Sequence, residues 1–110
     1  MTYVKINGVL YPAQVLEQRR DLNFDLRDTK TVTLETTHDI AINLFVDDIQ
    51  WSIVEEVTEG GDTSYFEYDN SEYCLAGDVI DHRDGTISVI MGKMTDRELL
   101  DILIGGSNDH

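Results

Sequence analysis

The sequence predicts an α+β domain over residues 1–110: a mainly antiparallel, twisted sheet or partly open barrel, with a short middle helix and a capped C-terminal helix. Three observations carry that prediction. Runs of β-branched and aromatic residues alternate with polar ones at a period of two in about six or seven places. The dipeptides Asn7-Gly8 and Asp84-Gly85 sit between such runs, and Gly tolerates the positive φ that tight hairpin turns need. Helical spacing occurs near residues 36–45 and 95–106, too rarely for alternating βαβ units and a parallel sheet.

Taken in order, Tyr3 to Ile6 and Val9 to Leu16 flank Asn7-Gly8 and form a hairpin. Pro12 has no N–H to give a ladder, so the second strand is an edge or has its free side outward there. Residues Glu17 to Asp28 are polar, with Leu22, Phe24 and Leu26 spaced by two, which reads as a strand extension or a loop pinned by those side chains. Thr31 to Glu35 alternates Val32 and Leu34 with threonines, a strand. Thr36 or Thr37 caps a short helix running to Phe45, with Ile40, Ala41, Leu44 and Phe45 on one face and Asp39 in the first turn, where negative charge suits the dipole. Gln50 to Thr58 is a strand with Trp51 and Ile53 on one face; Glu59-Gly60-Gly61-Asp62 is a turn; Thr63 to Tyr68 is a strand; Asp69-Asn70-Ser71 turns again.

The stretch from Ala76 to Gly106 organises the rest. It reads as strand, turn at Asp84-Gly85, strand through Ile87, Val89 and Met91, helix and stop. Thr95 and Glu98 form a capping box, each side chain serving the other's backbone N–H. Leu99, Ile102 and Leu103 give the helix an apolar stripe, expected to cover one face or end of the sheet, and Gly105-Gly106 is read as the helix stop. Residues 107–110 form a short polar tail.

Composition narrows function more than it defines it. The chain has 110 residues, 41% of them hydrophobic, enough for a modest core without metal or disulfide. One cysteine, Cys74, rules out an internal disulfide. The start MTYVKINGVLY holds no long apolar run, so no signal peptide is expected, nor is any segment long enough to span a membrane. The setting expected is the cytoplasm, or a particle assembled there. A net charge of −14 argues against direct nucleic-acid binding, which needs Lys and Arg against phosphate, and favours basic partners. The charge is regional. Residues 1–37 hold five acids and five bases, whereas Thr31 to His82 holds thirteen acids and no Lys or Arg.

Motifs for chemistry are sparse. His38, Cys74 and His82 are ligand types that could join Asp39, Asp78 or Asp81 around zinc, but no CxxC, HxxxH or HExxH spacing supports a site. Asp69-Asn70-Ser71-Glu72 offers oxygens for calcium without the twelve-residue EF-hand pattern, and Asx-turn chemistry explains the same residues. Carboxylates abound, yet no two are marked as an acid/base pair, and no GxSxG, P-loop or GxGxxG accompanies them. No metal, cofactor or catalytic residue is therefore expected. The remaining candidate is the acidic half itself: Asp47, Asp48, Glu55, Glu56, Glu67, Asp69 and Glu72 are expected to include partner-binding residues. Solubility alone is served by mixed signs, and the complete lack of cations across this region favours a docking face.

Read together, NGVLYPA, TVTLE, LFVDDIQWSIV, YDNSEY, LAGDVIDHRDGTISVIMGK and TDRELLDILIGG resemble a group of small uncharacterised proteins carried by prophages of gut bacteria, over nearly the whole chain. The resemblance implies phage origin and an α+β fold, and carries over no catalytic residues. The matching positions are architectural: Asn7-Gly8, Trp51, Gly77-Asp78, Asp84-Gly85, Gly92 and the capped helix. It implies two functions. One is an anti-CRISPR-like inhibitor that acts in the host cytoplasm, where its acids imitate phosphate and compete with DNA for a basic nuclease. The other is a virion or tail-assembly component that oligomerises or packs on a larger neighbour through hairpin edges and exposed aromatics, Tyr65, Phe66, Tyr68 and Tyr73.

Overall fold

A computed structural model of the chain describes residues 1–107, with side chains up to Leu103. Among the described residues, β1 (Thr2–Ile6), β2 (Val9–Asp21), β3 (Arg27–Glu35), β4 (Trp51–Glu59), β5 (Asp62–Asp69), β6 (Leu75–Asp81) and β7 (Thr86–Gly92) form one sheet, ordered β5-β4-β1-β2-β3-β7-β6. Every neighbouring pair is antiparallel. The two end strands do not meet, so the sheet is twisted and open rather than closed. Two helices complete the fold, α1 (His38–Leu44) and α2 (Asp96–Ser107). The molecule is elongated, 59 × 34 × 25 Å.

β2 explains the elongation. Its first residues pair with β1, up to Tyr3↔Pro12, and pairing with β3 begins at Ala13↔Leu34. Counting out from the two-residue Asn7-Gly8 turn, where both φ are positive (53° and 79°), Pro12 falls at a position whose missing N–H faces away from β1. That side has no ladder yet, so Pro12 sits where the strand changes partners at no cost in hydrogen bonds. Beyond Gln18 the register shifts and Arg20 takes a positive φ. The polar segment is thus strand to Asp21, then a 3-10 turn at Leu22–Phe24. Of the side chains expected to pin it, only Phe24 does so, lying against Gly77 and Gly92; Leu22 and Leu26 are exposed.

The core lies on one face of the sheet. Val4, Ile6, Val32, Leu34, Ile53, Ile87, Val89 and Met91 point to it, and α1 and Tyr73 cover it. Thr37 caps α1, accepting from the Ile40 N–H at 3.4 Å, and buries Ala41 and Phe45 rather than the exposed Ile40. Phe45 meets Trp51 edge-on, ring centres 6.0 Å apart, and the Trp51 indole donates to the Tyr73 carbonyl at 3.0 Å. Tyr73, expected among exposed aromatics, is buried: Lys30 lies over its ring and Asn70 accepts from that ammonium, which pulls the loop onto the core.

The C-terminal helix departs most from expectation. The capping box forms, Thr95 N–H to Glu98 Oε1 at 2.8 Å and Glu98 N–H to Thr95 Oγ1 at 3.3 Å. Its apolar stripe, however, does not cover the sheet: Leu99, Ile102 and Leu103 are 46%, 57% and 72% exposed, and Leu100 beside them is 54% exposed. The helix is tied at its root by Arg27, which donates to both oxygens of Glu98 and to the Lys93 carbonyl. Gly105 and Gly106 lie inside α2 rather than ending it, since glycine disfavours a helix by only about 1 kcal/mol against alanine. Residues 108–110 of the predicted tail lie outside the described residues.

Candidate docking face

The β4–β5 hairpin sets the acidic residues in space. Gly60 and Gly61 have φ of 58° and 87°, as a two-residue type I′ turn requires, and eight pairs follow in register from Glu59↔Asp62 to Ser52↔Asp69. β1 pairs with β4 as far as Glu55 and Met1 bonds the Glu56 backbone, so the hairpin projects past the sheet from Val57 to its tip.

Paired residues share a face and neighbours alternate, so the predicted docking residues separate. Glu56, Glu67 and Asp69 lie on the face opposite the core. The Glu56 carboxylate accepts from Tyr3 at 3.3 Å and Tyr65 at 3.2 Å. The Glu67 carboxylate accepts from Lys5 at 3.2 Å and Ser52 at 3.0 Å, and these bonds hold its carboxyl below the ordinary range. Asp69 takes two bonds from Ser71, an Asx turn that likewise lowers its carboxyl. Glu56 in turn pushes the Tyr65 phenol up through its hydrogen bond. The row runs down to a shallow polar depression of about 380 Å³, between Lys5, Asn7, Ser52, Glu67, Asp69 and Ser71.

The other four lie elsewhere. Glu55 points to the core side of the sheet, where it accepts from Thr2 at 2.9 Å. Asp47 and Asp48 follow α1; Asp47 accepts from the Ala76 N–H at 2.8 Å, and Asp48 has a φ of 63° and donates its N–H to the Cys74 carbonyl. Glu72 sits between β5 and β6, 3.6 Å from the Lys93 ammonium. The seven are therefore one face of three, with four outliers. Residues outside those seven complete that face: Tyr3, Lys5, Ser52 and Tyr65, the last expected among the exposed aromatics. Tyr3 and Lys5 reach it only because β1 pairs with β4 nearly fifty residues away, which no local pattern signals, whereas Ser52 and Tyr65 are set there by the hairpin itself.

His38 opens α1, Cys74 precedes β6 and His82 follows it, its ring nitrogen 2.7 Å from Ser88 Oγ. Cys74 is half-buried, and burial pushes its thiol up. Among the described residues, no three His, Cys, Asp or Glu side chains gather as ligands. Nor is any helix among them long and apolar enough to cross a membrane. A groove of about 770 Å³ opens beside Pro12, where β2 changes partners, with Glu35 and Asp84 among its lining residues. The chain matches no protein-family model, no curated protein and no solved structure.

Proposed function

We propose that the protein is a non-catalytic binding protein that docks a basic, nucleic-acid-binding partner through its β4–β5 hairpin and competes there with nucleic acid. The observation that carries this reading is charge segregation onto one element. Thirteen acids and no Lys or Arg lie between Thr31 and His82, and this region supplies the β4–β5 hairpin, with Glu56, Glu67 and Asp69 on one face of the part that β1 backs and Glu59 and Asp62 beside the projecting tip. Such a face attracts Lys- and Arg-rich surfaces and speeds their encounter. The resemblance to prophage proteins directs the first test at a host-defence nuclease. Mixing the protein with a type II CRISPR nuclease, free and DNA-loaded, at two salt concentrations tests it. The expected outcome is binding to the DNA-free form that blocks cleavage and weakens with salt; no binding to either form removes this partner.

A second reading is supported by α2, whose exposed Leu99, Leu100 and Ile102 suit burial against a neighbour in an assembly such as a virion. The two readings differ in mass. An assembly component sediments as an oligomer that Leu99→Ser with Ile102→Ser dissolves, whereas the inhibitor keeps its binding after those substitutions.

A further inference from the structure

We propose that the outer edge of β5 receives an extended, basic segment of the partner as an added strand. The proposal rests on the acidic docking reading above and states how that docking occurs.

β5 ends the sheet order, so among the described residues one side of it has no strand. The identity of the outward groups follows from the hairpin. A two-residue turn makes Glu59↔Asp62 a hydrogen-bonded pair, so Asp62, Ser64, Phe66 and Tyr68 bond to β4, while Thr63, Tyr65, Glu67 and Asp69 turn their N–H and C=O groups outward. The same parity sends the Glu56 backbone towards β1, where its N–H donates to the Met1 carbonyl at 2.8 Å and its carbonyl accepts from the N-terminus at 3.0 Å.

The backbone of the edge is also unbroken, and what guards it is negative charge. Natural edge strands are commonly blunted by a bulge, a proline, a lysine or shortness. β6, at the opposite end of the sheet, has such a break in register between Ala76 and Val79. β5 runs eight residues without one and contains no Pro, Lys or Arg.

Charge decides what pairs there. A second copy of β5 would set three carboxylates against three more, Asp62, Glu67 and Asp69 on each strand, with no cation between them. A basic strand meets the opposite situation. Its residues beside Glu67 and Asp69 would be Lys or Arg, and those on the other face would rest against Phe66 and Tyr68, which are 49% and 56% exposed. The edge therefore selects a segment that alternates basic and apolar residues, with main-chain bonds giving affinity and side chains giving register.

The test uses an acetylated eight-residue peptide alternating lysine and valine, and the same peptide N-methylated at alternate residues so that one edge cannot pair. The unmodified peptide is expected to bind and to slow amide exchange at Tyr65 and Glu67 by at least about tenfold, because those protons become bonded. Exchange at Ser64 and Phe66, already bonded to β4, changes little. The N-methylated peptide is expected to bind at least about fivefold more weakly, the loss of one net hydrogen bond or more. Tyr65→Pro, which removes an N–H that β4 does not use, weakens the unmodified peptide more than Tyr65→Thr, which removes the same ring and keeps that N–H. Equal binding of both peptides without slowed exchange overturns strand addition and leaves the acidic docking reading standing. Failure of both peptides to bind even at low salt overturns the two together.

Discussion

Arg27 shows how a single residue holds this fold's least supported element. It is 6% exposed, stacks on the Phe24 ring at 4.8 Å, and reaches both oxygens of Glu98. Gly92 makes room, since a Cβ there would lie 2.6 Å from the Arg27 side chain. The arginine first, and the Thr95 N–H after it, draw the Glu98 carboxyl from 4.5 down to about 2. A carboxylate favoured by folding contributes its stability above the unfolded value and loses it as pH falls through the folded one. The contribution is therefore whole above about pH 4.5 and lost towards about pH 2. Glu98 is partly exposed, so solvent reduces the effect to about 1 kcal/mol. Urea unfolding should find Glu98→Gln less stable than the parent near neutrality, with the difference closing at low pH; a constant gap would remove the ion pair as its cause. Trp51 makes the complementary case in the core. Trp51→Phe leaves the Tyr73 carbonyl without its donor and a void beside Phe45, and should cost about 2–3 kcal/mol in the same measurement. The capping box of Thr95 and Glu98 was legible three residues apart. The Arg27 bond to the same carboxylate spans 71 residues and was not.

Elements repeat that contrast. The hairpins at Asn7-Gly8 and Gly60-Gly61, the cap at Thr37 and the alternation of β3 and β7 are local, and the structure has them where the residues indicate. Three features depend on distant partners and could not be read: the order of the strands, the point at which the extension of β2 gives way to a turn, and the exposed stripe of α2. An amphipathic helix announces that it has something to bury, not where its partner lies. Close approach between elements escapes the sequence for the same reason. Gly77 sits where a Cβ would meet Phe24 at 2.5 Å and the Ile90 carbonyl at 3.0 Å. Gly77→Ala must push the aromatic ring off the sheet, at about 1–3 kcal/mol by thermal or urea unfolding. The acidic run was visible, but its division between two faces follows from pairing. Adjacent Glu55 and Glu56 point oppositely, so reversing them singly separates the faces. Glu56→Lys should weaken a basic partner by about tenfold or more, while Glu55→Lys changes binding little, both read by titration at low salt. Equal losses would mean that the partner wraps the hairpin rather than using one face.

At the scale of the whole molecule, one cause should drive stability and binding in opposite directions. The chain carries −14, and the segment from Thr31 to His82 holds thirteen acids without a cation of its own. Among the described residues, lysines from outside the segment form ion pairs with its acids in two places, Lys5 at Glu67 and Lys93 at Glu72, and all four side chains are 40% or more exposed. Exposed pairs contribute little and lose it in salt, whereas the repulsion among the remaining carboxylates acts across the whole region. Raising salt from about 10 mM to about 200 mM shortens the Debye length from roughly 30 Å to under 10 Å, less than the length of the sheet. The melting temperature should therefore rise over that range, because screening relieves more repulsion than attraction. Binding to a basic partner should weaken over the same range, since screening there removes attraction alone. Calorimetric melting and peptide titration on the same samples check the pair. A melting temperature that falls with salt would mean that the ion pairs, Arg27 with Glu98 foremost, outweigh the acidic surface, and the excess charge would then hold no free energy for a partner to release.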